Sequence, residues 1–383
     1  MVIGIDARVL QGGEGGIFVY AKNIIERIVF AAREHQIKIF LNQSKNERLK
    51  TIESASRLPG VKVFRYSFPN KFLNASFKFA NWPAIENLVQ GCDVLFFPTM
   101  MYGVRGLKAK SVLTMHDISY EFFPECFTLK QRLWHSLMEP KTMCQQVSKI
   151  ISVSESTKFD VSEFYGIEKS KIKVIYSGVD ERFHPIKDSF ALGFIKNKYR
   201  LPEGNYIIQT STIEPRKNHI ATIEAFCSWF FKNPTQSKTW RLLLVGHRGW
   251  KSKEVLKTAK SSMLLDKIRI LEDVPENDLP ALYSLSSIFI YPSFYEGFGF
   301  PPLEAMSCGI PVIASANSSL AEIVGDAGVL VNPYRIEEIE LAINSIASDS
   351  DFAKFLSKKG IQRASKFSWD SCASETLKAI ISA

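Results

Sequence analysis

Residues 206–231 read YIIQTSTIEPRKNHIATIEAFCSWFF, and this stretch predicts the fold. The apolar run 206–210 is typical of a buried strand, 211–218 of a polar loop, and 220–231 of a helix. The chain opens in the same order, with an apolar strand at 2–5, a glycine-rich loop and a helical pattern from residue 17 to residue 32. Two such beginnings, each followed by alternating strands and helices, predict two doubly wound α/β domains in tandem.

Short apolar runs separated by helix-length segments continue this alternation on both sides of residues 178–201. The runs before that stretch are 38–41, 62–66, 94–97, 111–115, 149–153 and 173–176. The runs after it are 241–245, 268–271, 288–291, 312–314 and 328–331. The stretch itself is rich in proline, glycine and charge, which predicts an interdomain linker. A last helical segment, 367–383, could pack on either domain.

The composition is that of a globular protein with excess positive charge. The 383 residues suffice for two cores, 46% are hydrophobic and 23% charged, and the net charge is +9. This charge suits nucleic acid, a phosphorylated small molecule or an anionic membrane surface as partner. The sequence contains no helix-turn-helix, RNA-recognition or zinc-finger motif, so no nucleic-acid partner is predicted.

The cysteines and the N-terminal residues bear on the compartment. The six cysteines are scattered without a CxxC pair, which predicts reduced thiols rather than disulfides or a zinc site. Residues 1–10 lack the basic start and the unbroken apolar run of a signal peptide. No apolar run has the length of a membrane span. The sequence therefore predicts a cytoplasmic protein.

Residues 295–305, YEGFGFPPLEA, place two carboxylates, Glu296 and Glu304, around a Gly/Phe turn and a Pro-Pro pair. Pro301 and Pro302 suit the first turn of a helix, where a missing N–H costs nothing. The amides of the preceding turn then lie at the positive end of that helix, where an anion is stabilised. Carboxylates this close to an anion need hydrogen-bond donors, and the hydroxyls of a sugar and a ribose are suitable. The stretch predicts a site for a diphosphate with a sugar on one side and a ribose on the other.

The loop 211–219, STIEPRKNH, carries a second feature of this kind. Arg216 and Lys217 stand just ahead of a helix start, where cations and free backbone amides together bind phosphate or diphosphate. An isolated Arg-Lys pair is also typical of a solvated basic turn, and the loop alone does not separate the two interpretations.

Together these segments resemble the family 4 retaining glycosyltransferases of group 1 type, in the branch that carries EPRKN. Glu296-x7-Glu304 is similar to the E-x7-E signature of that family. Other similar segments follow in the family's order: GGEGGI at 12–17, HDI at 116–118, VSEST at 153–157, SGVDERFHP at 177–185, EPRKN at 214–218, EDVPENDLPALYS at 272–284 and FSW at 367–369. The resemblance covers nearly the whole chain.

The resemblance implies the GT-B fold, an α/β architecture in which two Rossmann-like doubly wound domains face each other across a cleft. Residues 1–184 with 365–383 would form the N-terminal, acceptor-binding domain, and 185–364 the C-terminal, nucleotide-sugar-binding domain. The C-terminal helix would cross back to the N-terminal domain.

The resemblance also implies roles for the cations of the EPRKN segment. Lys217 matches the family lysine that binds the donor diphosphate. Many members carry an arginine five residues before that lysine, and this position is Thr212 here. Arg216 would supply the second cation instead.

In the same way, Glu296 would hold hydroxyls of the donor sugar and Glu304 those of the ribose. The backbone of Val274 would contact the edge of the nucleobase. The backbone amides that would hold the distal phosphate and the sugar are those of Gly297, Phe298, Gly299 and Phe300.

In the first domain, His116 matches the family's HD histidine and would contact the hydroxymethyl group of the donor sugar. A buried, hydrogen-bonded structural histidine is the other interpretation. Gly15 and Gly16 would let the first loop approach the diphosphate without a clash of Cβ atoms.

The implied activity is hexosyl transfer. Mannose or glucose would move from a UDP- or GDP-hexose to a hydroxyl of a glycan or lipid-linked acceptor, in the synthesis of surface polysaccharide or lipopolysaccharide. The anomeric configuration would be retained, and Glu296 would position groups rather than attack. No metal or prosthetic group is expected, and the D-x-D at 349–351 fits a solvated turn. The alternatives are a related GT-B enzyme, such as a sugar-nucleotide epimerase or a phosphorylase, and a non-catalytic GT-B subunit.

Residues 64–82, FRYSFPNKFLNASFKFANW, mix aromatic side chains with lysine and arginine, and Arg105, Lys108 and Lys110 follow. One interpretation is a peripheral contact with an anionic membrane, on its inner face, near a lipid-linked acceptor. The other is that the aromatic side chains fill the core of the first domain while the lysines are solvated. Co-sedimentation with liposomes separates the two.

Overall fold

The computed structural model describes residues 1–11, 15–42, 52, 56–104 and 107–383. Two compact units are formed. The first contains Met1–Tyr120, Leu129–Gly178 and Ser368–Ala383, and the second contains Glu121–Thr128 and Val179–Phe367.

The described chain alternates strands and helices along its length. The strands are β1 (Val2–Asp6), β2 (Gln36–Leu41), β3 (Val61–Arg65), β4 (Val94–Phe97), β5 (Lys110–Met115), β6 (Lys149–Ser152), β7 (Ile172–Val174), β8 (Asn205–Thr210), β9 (Trp240–Val245), β10 (Ile268–Leu271), β11 (Ile288–Tyr291), β12 (Val312–Ser315) and β13 (Val329–Val331). The helices are α1 (Gly16–Ala31), α2 (Asn70–Phe79), α3 (Ile85–Leu88), α4 (Ser119–Phe122), α5 (Leu129–Met138), α6 (Pro140–Gln146), α7 (Glu155–Tyr165), α8 (Ser189–Lys198), α9 (His219–Lys232), α10 (Lys253–Ser261), α11 (Leu279–Ser284), α12 (Phe300–Ser307), α13 (Ser318–Val324), α14 (Ile336–Ser348), α15 (Ser350–Ala364) and α16 (Trp369–Ile381).

Each unit is built on one parallel sheet. The first sheet has the order β3-β2-β1-β4-β5-β6-β7 and the second the order β10-β9-β8-β11-β12-β13, with every pairing parallel. The strand order reverses between β1 and β4 in the first sheet and between β8 and β11 in the second. In doubly wound sheets, ligands bind beyond the carboxyl ends of the strands at such a reversal. The predicted α/β fold with two doubly wound sheets is confirmed.

The core of the second unit is the apolar face of α9 against its sheet. Phe226 and Trp229 are fully buried, and the Trp229 ring meets Trp240 edge-on at 5.3 Å. Burying one such side chain contributes about 1.5–3 kcal/mol. This packing anchors the start of α9, which follows the EPRKN loop directly.

The last helix belongs to the first unit, where α16 packs on α1. Gly178 permits this packing, because a Cβ there would lie 2.2 Å from the backbone nitrogen of Trp369. The final segment thus joins the N-terminal sheet, as the resemblance implied.

The stretch 178–201, predicted to be a linker, contains a ten-residue helix, α8. Its first turn is capped by Asp188, whose carboxylate accepts a hydrogen bond from the backbone nitrogen of Phe190 at 2.9 Å. The boundary between the two units, at Gly178 and Val179, falls at the start of this stretch, and the interdomain linker stays a prediction. The loose apolar pattern reflects a helix that leaves Phe190 and Phe194 exposed.

Candidate functional site

The EPRKN loop and the Glu296 loop meet beside the reversal of the second sheet. The first loop follows β8 and the second follows β11, and these strands are neighbours. The loops are also tied by backbone groups, since the carbonyl oxygen of Arg216 accepts from the backbone nitrogen of Phe294 at 2.9 Å and from Ser293 Oγ at 3.0 Å. Residues nearly eighty positions apart in sequence are therefore held side by side.

Arg216, Lys217 and Glu296 form one cluster of ion pairs. Lys217 Nζ lies 2.6 Å from Glu296 Oε1, and Arg216 Nη1 lies 3.1 Å from Glu296 Oε2. The other end of the guanidinium pairs with Glu214, at 3.0 Å. Two cations and two carboxylates thus balance each other. The structure brings together three of the four side chains for which a catalytic role was predicted.

Polar neighbours fix the geometry of this cluster. Ser293 Oγ donates to Glu296 Oε1 at 2.6 Å, and Lys217 Nζ donates to the hydroxyl of Tyr291 at 2.9 Å. Arg216 also donates to the backbone carbonyl of Tyr295, at 2.5 Å. Arg216, Lys217 and Glu296 are therefore each held by at least two partners, the preorganisation that electrostatic catalysis needs.

The charges of the cluster follow from burial and mutual attraction. Burial opposes the ionisation of Glu296, but Arg216 and Lys217 outweigh it and lower the pKa of its carboxyl to about 2. Burial lowers the pKa of Lys217, and the nearby Arg216 adds to the effect, while Glu296 opposes it. Burial raises the pKa of Glu214. Glu296 is therefore ionised at neutral pH and cannot act as a proton donor there.

The turn after Glu296 is held from α13. Ser319 Oγ donates to the carbonyl oxygens of Glu296 and Phe298, both at 2.8 Å. Gly299 has φ +104° and precedes α12, and a Cβ there would lie 2.7 Å from Leu320 Cδ2. The turn therefore requires glycine at residue 299. Gly297 and Phe298 are buried and Phe300 begins the helix.

Glu304 lies on α12, one turn into the helix, as predicted. The hydroxyl of Tyr283 donates to its Oε2 at 3.0 Å, and Thr210 Oγ1 lies 2.5 Å from the same hydroxyl. Burial raises the pKa of the Glu304 carboxyl to about 7. The two carboxyl groups therefore differ in charge state. Glu296 is ionised at neutral pH, whereas the pKa of Glu304 lies near neutral pH.

Two predicted positions lie outside this cluster. Thr212 is exposed, and a Cβ at Gly249 would lie 2.7 Å from its methyl group. Val274 is partly buried in the loop between β10 and α11, where Asp273 has φ +55°.

In the first unit, His116 follows β5 and is partly buried. Its Nε2 lies 2.9 Å from the carbonyl oxygen of Pro98, so this nitrogen carries the proton and Nδ1 is the acceptor. Burial lowers its pKa, so the imidazole is neutral at pH 7. The Tyr20 ring meets it edge-on at 4.8 Å. His116 is hydrogen-bonded, as the structural interpretation expected. Its other ring nitrogen, Nδ1, can still accept a hydrogen bond from a hydroxyl group.

Gly15 and Gly16 form the start of α1. Gly15 is the residue before the helix, with φ +103°, and a Cβ there would meet nothing within 4 Å. Its conformation favours glycine even though space is available. Residues 12–14 of the GGEGGI segment lie outside the described residues.

Sequence reasoning missed the packing of the segment Glu121–Thr128, which belongs to the second unit. The Phe123 ring lies 5.9 Å from that of Tyr295, the residue before Glu296. Phe127 stacks on Trp250 at 6.1 Å, and the Trp250 indole donates to the carbonyl of Cys126 at 2.5 Å. This segment therefore packs against the loop that carries Glu296. Its aromatic residues could have been noticed, but no local pattern shows where they pack.

Sequence reasoning also assigned no role to Glu214, Tyr291, Ser293 and Tyr283. The first three complete the ion-pair cluster, and Tyr283 links Glu304 to β8. Glu214 and Ser293 stand inside the quoted segments, so proximity in sequence was the available signal. The tyrosines look like ordinary core residues, since both are fully buried.

No group of three or more His, Cys, Asp or Glu side chains comes together within the described ranges as a metal site requires. The D-x-D residue Asp349 caps α15, accepting from the backbone nitrogens of Asp351 and Phe352 at 2.9 Å. All six cysteines are free thiols. Metal independence stays a prediction.

Two family profiles divide the chain between them. The family described as "Glycosyltransferase Family 4" matches residues 14–183, and the one described as "Glycosyl transferases group 1" matches residues 193–363. The chain is 32% identical over 270 residues to the O-antigen chain mannosyltransferase B of Escherichia coli, covering 70% of each protein. It is 29% identical over 262 residues to the serotype-specific mannosyltransferase WbdA of Escherichia coli, covering 68% of this chain but about a third, 32%, of WbdA.

Among solved structures, HepE from Anabaena in complex with UDP and glucose aligns over 100% of both chains, with a TM-score of 0.76 at 19% identity. This likeness shows the GT-B fold, as predicted. The chain belongs to the family 4 glycosyltransferases, and its mannosyltransferase relatives place it among the hexosyltransferases.

Proposed function

We propose that the chain transfers a hexose, mannose in the first instance, from a nucleoside diphosphate sugar to a hydroxyl of a glycan or lipid-linked acceptor in surface polysaccharide synthesis. The observation that carries the proposal is the cluster of Arg216, Lys217 and Glu296 beside the strand reversal of the second sheet. The names of the relatives support mannose and O-antigen chains as the starting choice.

The donor diphosphate is bound by Arg216 and Lys217. In the structure both cations pair with carboxylates, so the diphosphate shares or displaces those contacts. During transfer, the bond between the anomeric carbon and the diphosphate oxygen breaks, and the electron pair leaves with the diphosphate. Fixed cations stabilise this developing charge without reorganisation, a large contribution in many enzymes.

Glu296 positions groups rather than attacking the sugar. It is ionised and held by Lys217, Arg216 and Ser293, which leaves it a hydrogen-bond acceptor for sugar hydroxyls. The acceptor hydroxyl attacks the anomeric carbon from the face that the diphosphate leaves, so configuration is retained. Its proton passes to the departing phosphate oxygen.

The remaining predicted residues take the roles that the family resemblance implies. Glu304 accepts hydrogen bonds from the hydroxyls of the ribose, and the backbone of Val274 contacts the edge of the nucleobase. Neutral His116 accepts a hydrogen bond from the sugar's hydroxymethyl group through Nδ1, the role that the family resemblance implies. Gly15 and Gly16 allow the first loop to approach the diphosphate. The turn from Gly297 to Phe300 presents amides to the distal phosphate and the sugar.

A panel of GDP- and UDP-sugars identifies the donor. A ligand that binds the folded state raises its stability, so thermal shift ranks the candidates, and hydrolysis without acceptor shows turnover. GDP-mannose is expected to give the largest shift, with UDP-glucose and other UDP-hexoses as competing outcomes. The panel is run with and without EDTA, which also tests the predicted metal independence. A panel in which no nucleotide sugar shifts the melting temperature contradicts the proposal.

Glu296→Gln tests the positioning role. The amide keeps the shape but loses the charge that orders both cations, so kcat should fall about 10–100-fold while nucleotide affinity stays or improves. Full turnover with unchanged donor affinity would show that Glu296 has no such role. Glu340→Gln is a matched control, because Glu340 forms an ion pair with Lys232, on α9.

We also propose that residues 64–82 contact an anionic membrane. On α2, Phe72 and Phe79 are 70% and 81% exposed, whereas Leu73 and Phe77 are buried. The aromatic residues thus divide between the two interpretations, and the exposed Phe72 follows Lys71 directly in the sequence. Lys110 donates to the carbonyl of Ala383 at 2.7 Å, and Arg105 lies outside the described residues.

A second helix of this kind, α5, was not predicted. Leu129, Leu133 and Leu137 are 79%, 61% and 42% exposed, with Lys130 and Arg132 between them. An exposed apolar stripe edged by cations suits the interface of an anionic bilayer. None of the helices in the described part of the chain is long and apolar enough to cross a membrane.

Co-sedimentation with vesicles tests the membrane proposal. Binding is expected to phosphatidylcholine vesicles that contain phosphatidylglycerol and not to phosphatidylcholine alone. Phe72→Ser with Phe79→Ser should weaken it, while Phe159→Ser, an exposed phenylalanine on α7, should not. Absence of binding to both vesicles removes the proposal.

A further inference from the structure

The first unit contains a pocket of about 690 Å³ at the carboxyl ends of its strands. Its walls come from the segments that follow β1, β2, β3 and β4 and from α2 and α5. It therefore lies at the strand reversal of the first sheet, where doubly wound folds bind ligands. Its volume lies in the range of small-molecule sites.

Apart from Arg8, the polar side chains among the described lining residues are uncharged. The lining includes four carboxamides, from Gln11, Asn42, Asn70 and Asn74, and the hydroxyls of Ser67 and Thr99. Amides and hydroxyls both donate and accept hydrogen bonds, as the hydroxyls of a sugar do. The Asn42 amide is already engaged, since its nitrogen donates to the Phe68 carbonyl at 3.0 Å and to Asn70 Oδ1 at 2.7 Å. The other amides and hydroxyls of the lining are complementary to a polyhydroxylated ligand.

Arg8 is the one ionisable side chain among the described lining residues, and its positive charge is balanced by an ion pair with Asp6. Its guanidinium forms a bidentate ion pair with Asp6, in which Nε donates to Oδ1 at 3.0 Å and Nη2 donates to Oδ2 at 2.6 Å. Nη2 also donates to the carbonyl of Tyr102 at 2.5 Å. The guanidinium also lies 5.4 Å from the Phe40 ring and 5.0 Å from the Phe77 ring. Asp6 and Arg8 are both buried, so they form a neutral structural pair. A phosphate would find no uncompensated cation in this lining.

Two aromatic side chains add flat apolar surfaces. Trp134 on α5 is 42% exposed and Phe68 is 39% exposed. Phe68 is preorganised, because its ring stacks on Tyr66 at 5.4 Å and its backbone exchanges two 3.0 Å hydrogen bonds with the Asn42 amide. The C–H face of a sugar ring packs well on such surfaces.

We infer that this pocket binds the terminal, uncharged sugar residues of the acceptor glycan, with a ring on Trp134 or Phe68 and hydroxyls on the carboxamides. The inference rests on the proposed transferase function and names its acceptor class. The end that receives the hexose is a neutral glycan, and a sugar phosphate or lipid diphosphate is not bound in this pocket.

The test measures binding of sugars to the full chain without donor. The probes are neutral methyl glycosides and disaccharides of mannose, glucose and galactose, and the corresponding 6-phosphates, followed by calorimetry or saturation-transfer NMR. A neutral sugar should bind at least as tightly as its phosphate. Trp134→Ala and Asn74→Ala should each weaken that binding about tenfold. Trp134→Phe, which keeps an aromatic face, should recover part of it, and Phe159→Ala should bind as the wild type does.

Three results overturn the inference: a phosphorylated sugar that binds tenfold more tightly than its neutral form, variants that bind as the wild type does, or no neutral sugar bound. Circular dichroism and melting temperature show that each variant is folded. The donor panel separates this inference from the proposed function. If donors bind but the pocket variants keep normal glycan affinity, only the pocket assignment fails. If glycans bind in the pocket but no nucleotide sugar binds, the transferase proposal fails.

Discussion

The two units carry the same kind of sheet but opposite chemistry at the strand reversal. In the second unit, the loops after β8 and β11 supply Arg216, Lys217, Glu214 and Glu296 in one ion-pair cluster. In the first unit, the segments after β1 to β4 supply carboxamides, hydroxyls and aromatic rings, and Arg8 is neutralised by its buried partner.

Under the two proposed assignments, the topology would decide where a ligand binds and the loops would decide which ligand. A parallel sheet brings the ends of its central strands together whatever residues follow them. Cations that can be released from carboxylates suit a diphosphate, and amides suit neutral hydroxyls. A transferase needs one site of each kind, because its donor is charged and the acceptor we infer is not.

The largest expected effect is that of removing the lysine from the charged site. Lys217→Met should lower kcat about 10²–10³-fold, since it deletes one of two cations facing the leaving diphosphate. The measurement is initial-rate transfer, or donor hydrolysis, with the donor identified by the panel. Lys232→Met is the matched control, because Lys232 pairs with Glu340 at 2.8 Å and is 62% exposed.

A loss of less than threefold in Lys217→Met would break the comparison, because the charged cluster would then be structural. A similar loss in the Lys232 control would point to a general effect on folding. Neutral-sugar binding to the first unit should be unchanged in both variants.

The next effect concerns the turn that precedes α12. Gly299→Ala adds a Cβ at φ +104° and 2.7 Å from Leu320, so the 296–299 turn must shift. Strain of this kind costs about 1–3 kcal/mol, and nucleotide affinity should fall about 10–100-fold. Titration calorimetry with the nucleoside diphosphate measures it.

Gly166→Ala is the counterpart in the first unit. Gly166 has φ +68° at the end of α7, but a Cβ there would meet nothing within 4 Å. This variant should lose about 1 kcal/mol of stability without a change in nucleotide affinity. Equal nucleotide affinity in both glycine variants would mean that the turn does not contact the donor.

Much of this organisation could be predicted from the sequence. The parallel strands were predicted because buried strands read as continuous apolar runs, and β4, β10 and β11 were predicted at their observed bounds. Arg216, Lys217 and Glu296 were predicted as site residues from the helix starts that follow their segments and from the family resemblance. The ion pairs between them were not predicted, because no local pattern brings the two segments together.

What could not be predicted depends on contacts between distant segments. Glu214 was visible in EPRKN, but its pairing with Arg216 depends on a 3-10 turn, Pro215–Lys217, that composition does not show. The segment Glu121–Thr128 joins the second unit through aromatic packing without a local signature. The lining of the first-unit pocket comes from several separate parts of the chain, none of which is distinctive alone.

A smaller effect distinguishes the two carboxylates of the E-x7-E signature. The pKa of Glu304 is about 7 against an ordinary 4.5, because it is buried, whereas that of Glu296 is about 2. Nucleotide-sugar affinity should therefore rise about three- to tenfold from pH 6 to pH 8, as Glu304 ionises and accepts ribose hydroxyls more strongly. Glu296 is ionised throughout this range.

The same shift has a consequence for stability. Between pH 4.5 and 7 the folded protein keeps a proton on Glu304 that the unfolded chain loses, so this contribution is full at low pH and lost as pH rises through 7. Glu304→Gln should flatten both the affinity profile and this part of the stability profile. Burial also raises the pKa of Glu214, so a pH profile of the wild type alone does not show which carboxyl titrates. The comparison with Glu304→Gln assigns the titration to Glu304. An unchanged profile in Glu304→Gln would remove Glu304 from the ribose site.

The smallest effect tests the comparison as a whole. Raising the salt concentration from low to about 0.5 M shortens the screening length, and partly exposed charges are screened more than buried ones. Arg216 and Lys217 are 14% and 11% exposed, so donor affinity should weaken about two- to threefold. Neutral-sugar affinity at the first-unit pocket should stay within measurement error, because Arg8 is 6% exposed and paired with Asp6. Equal salt dependence at the two sites would mean that the acceptor is charged as well, and the division of chemistry between the two sheets would not hold.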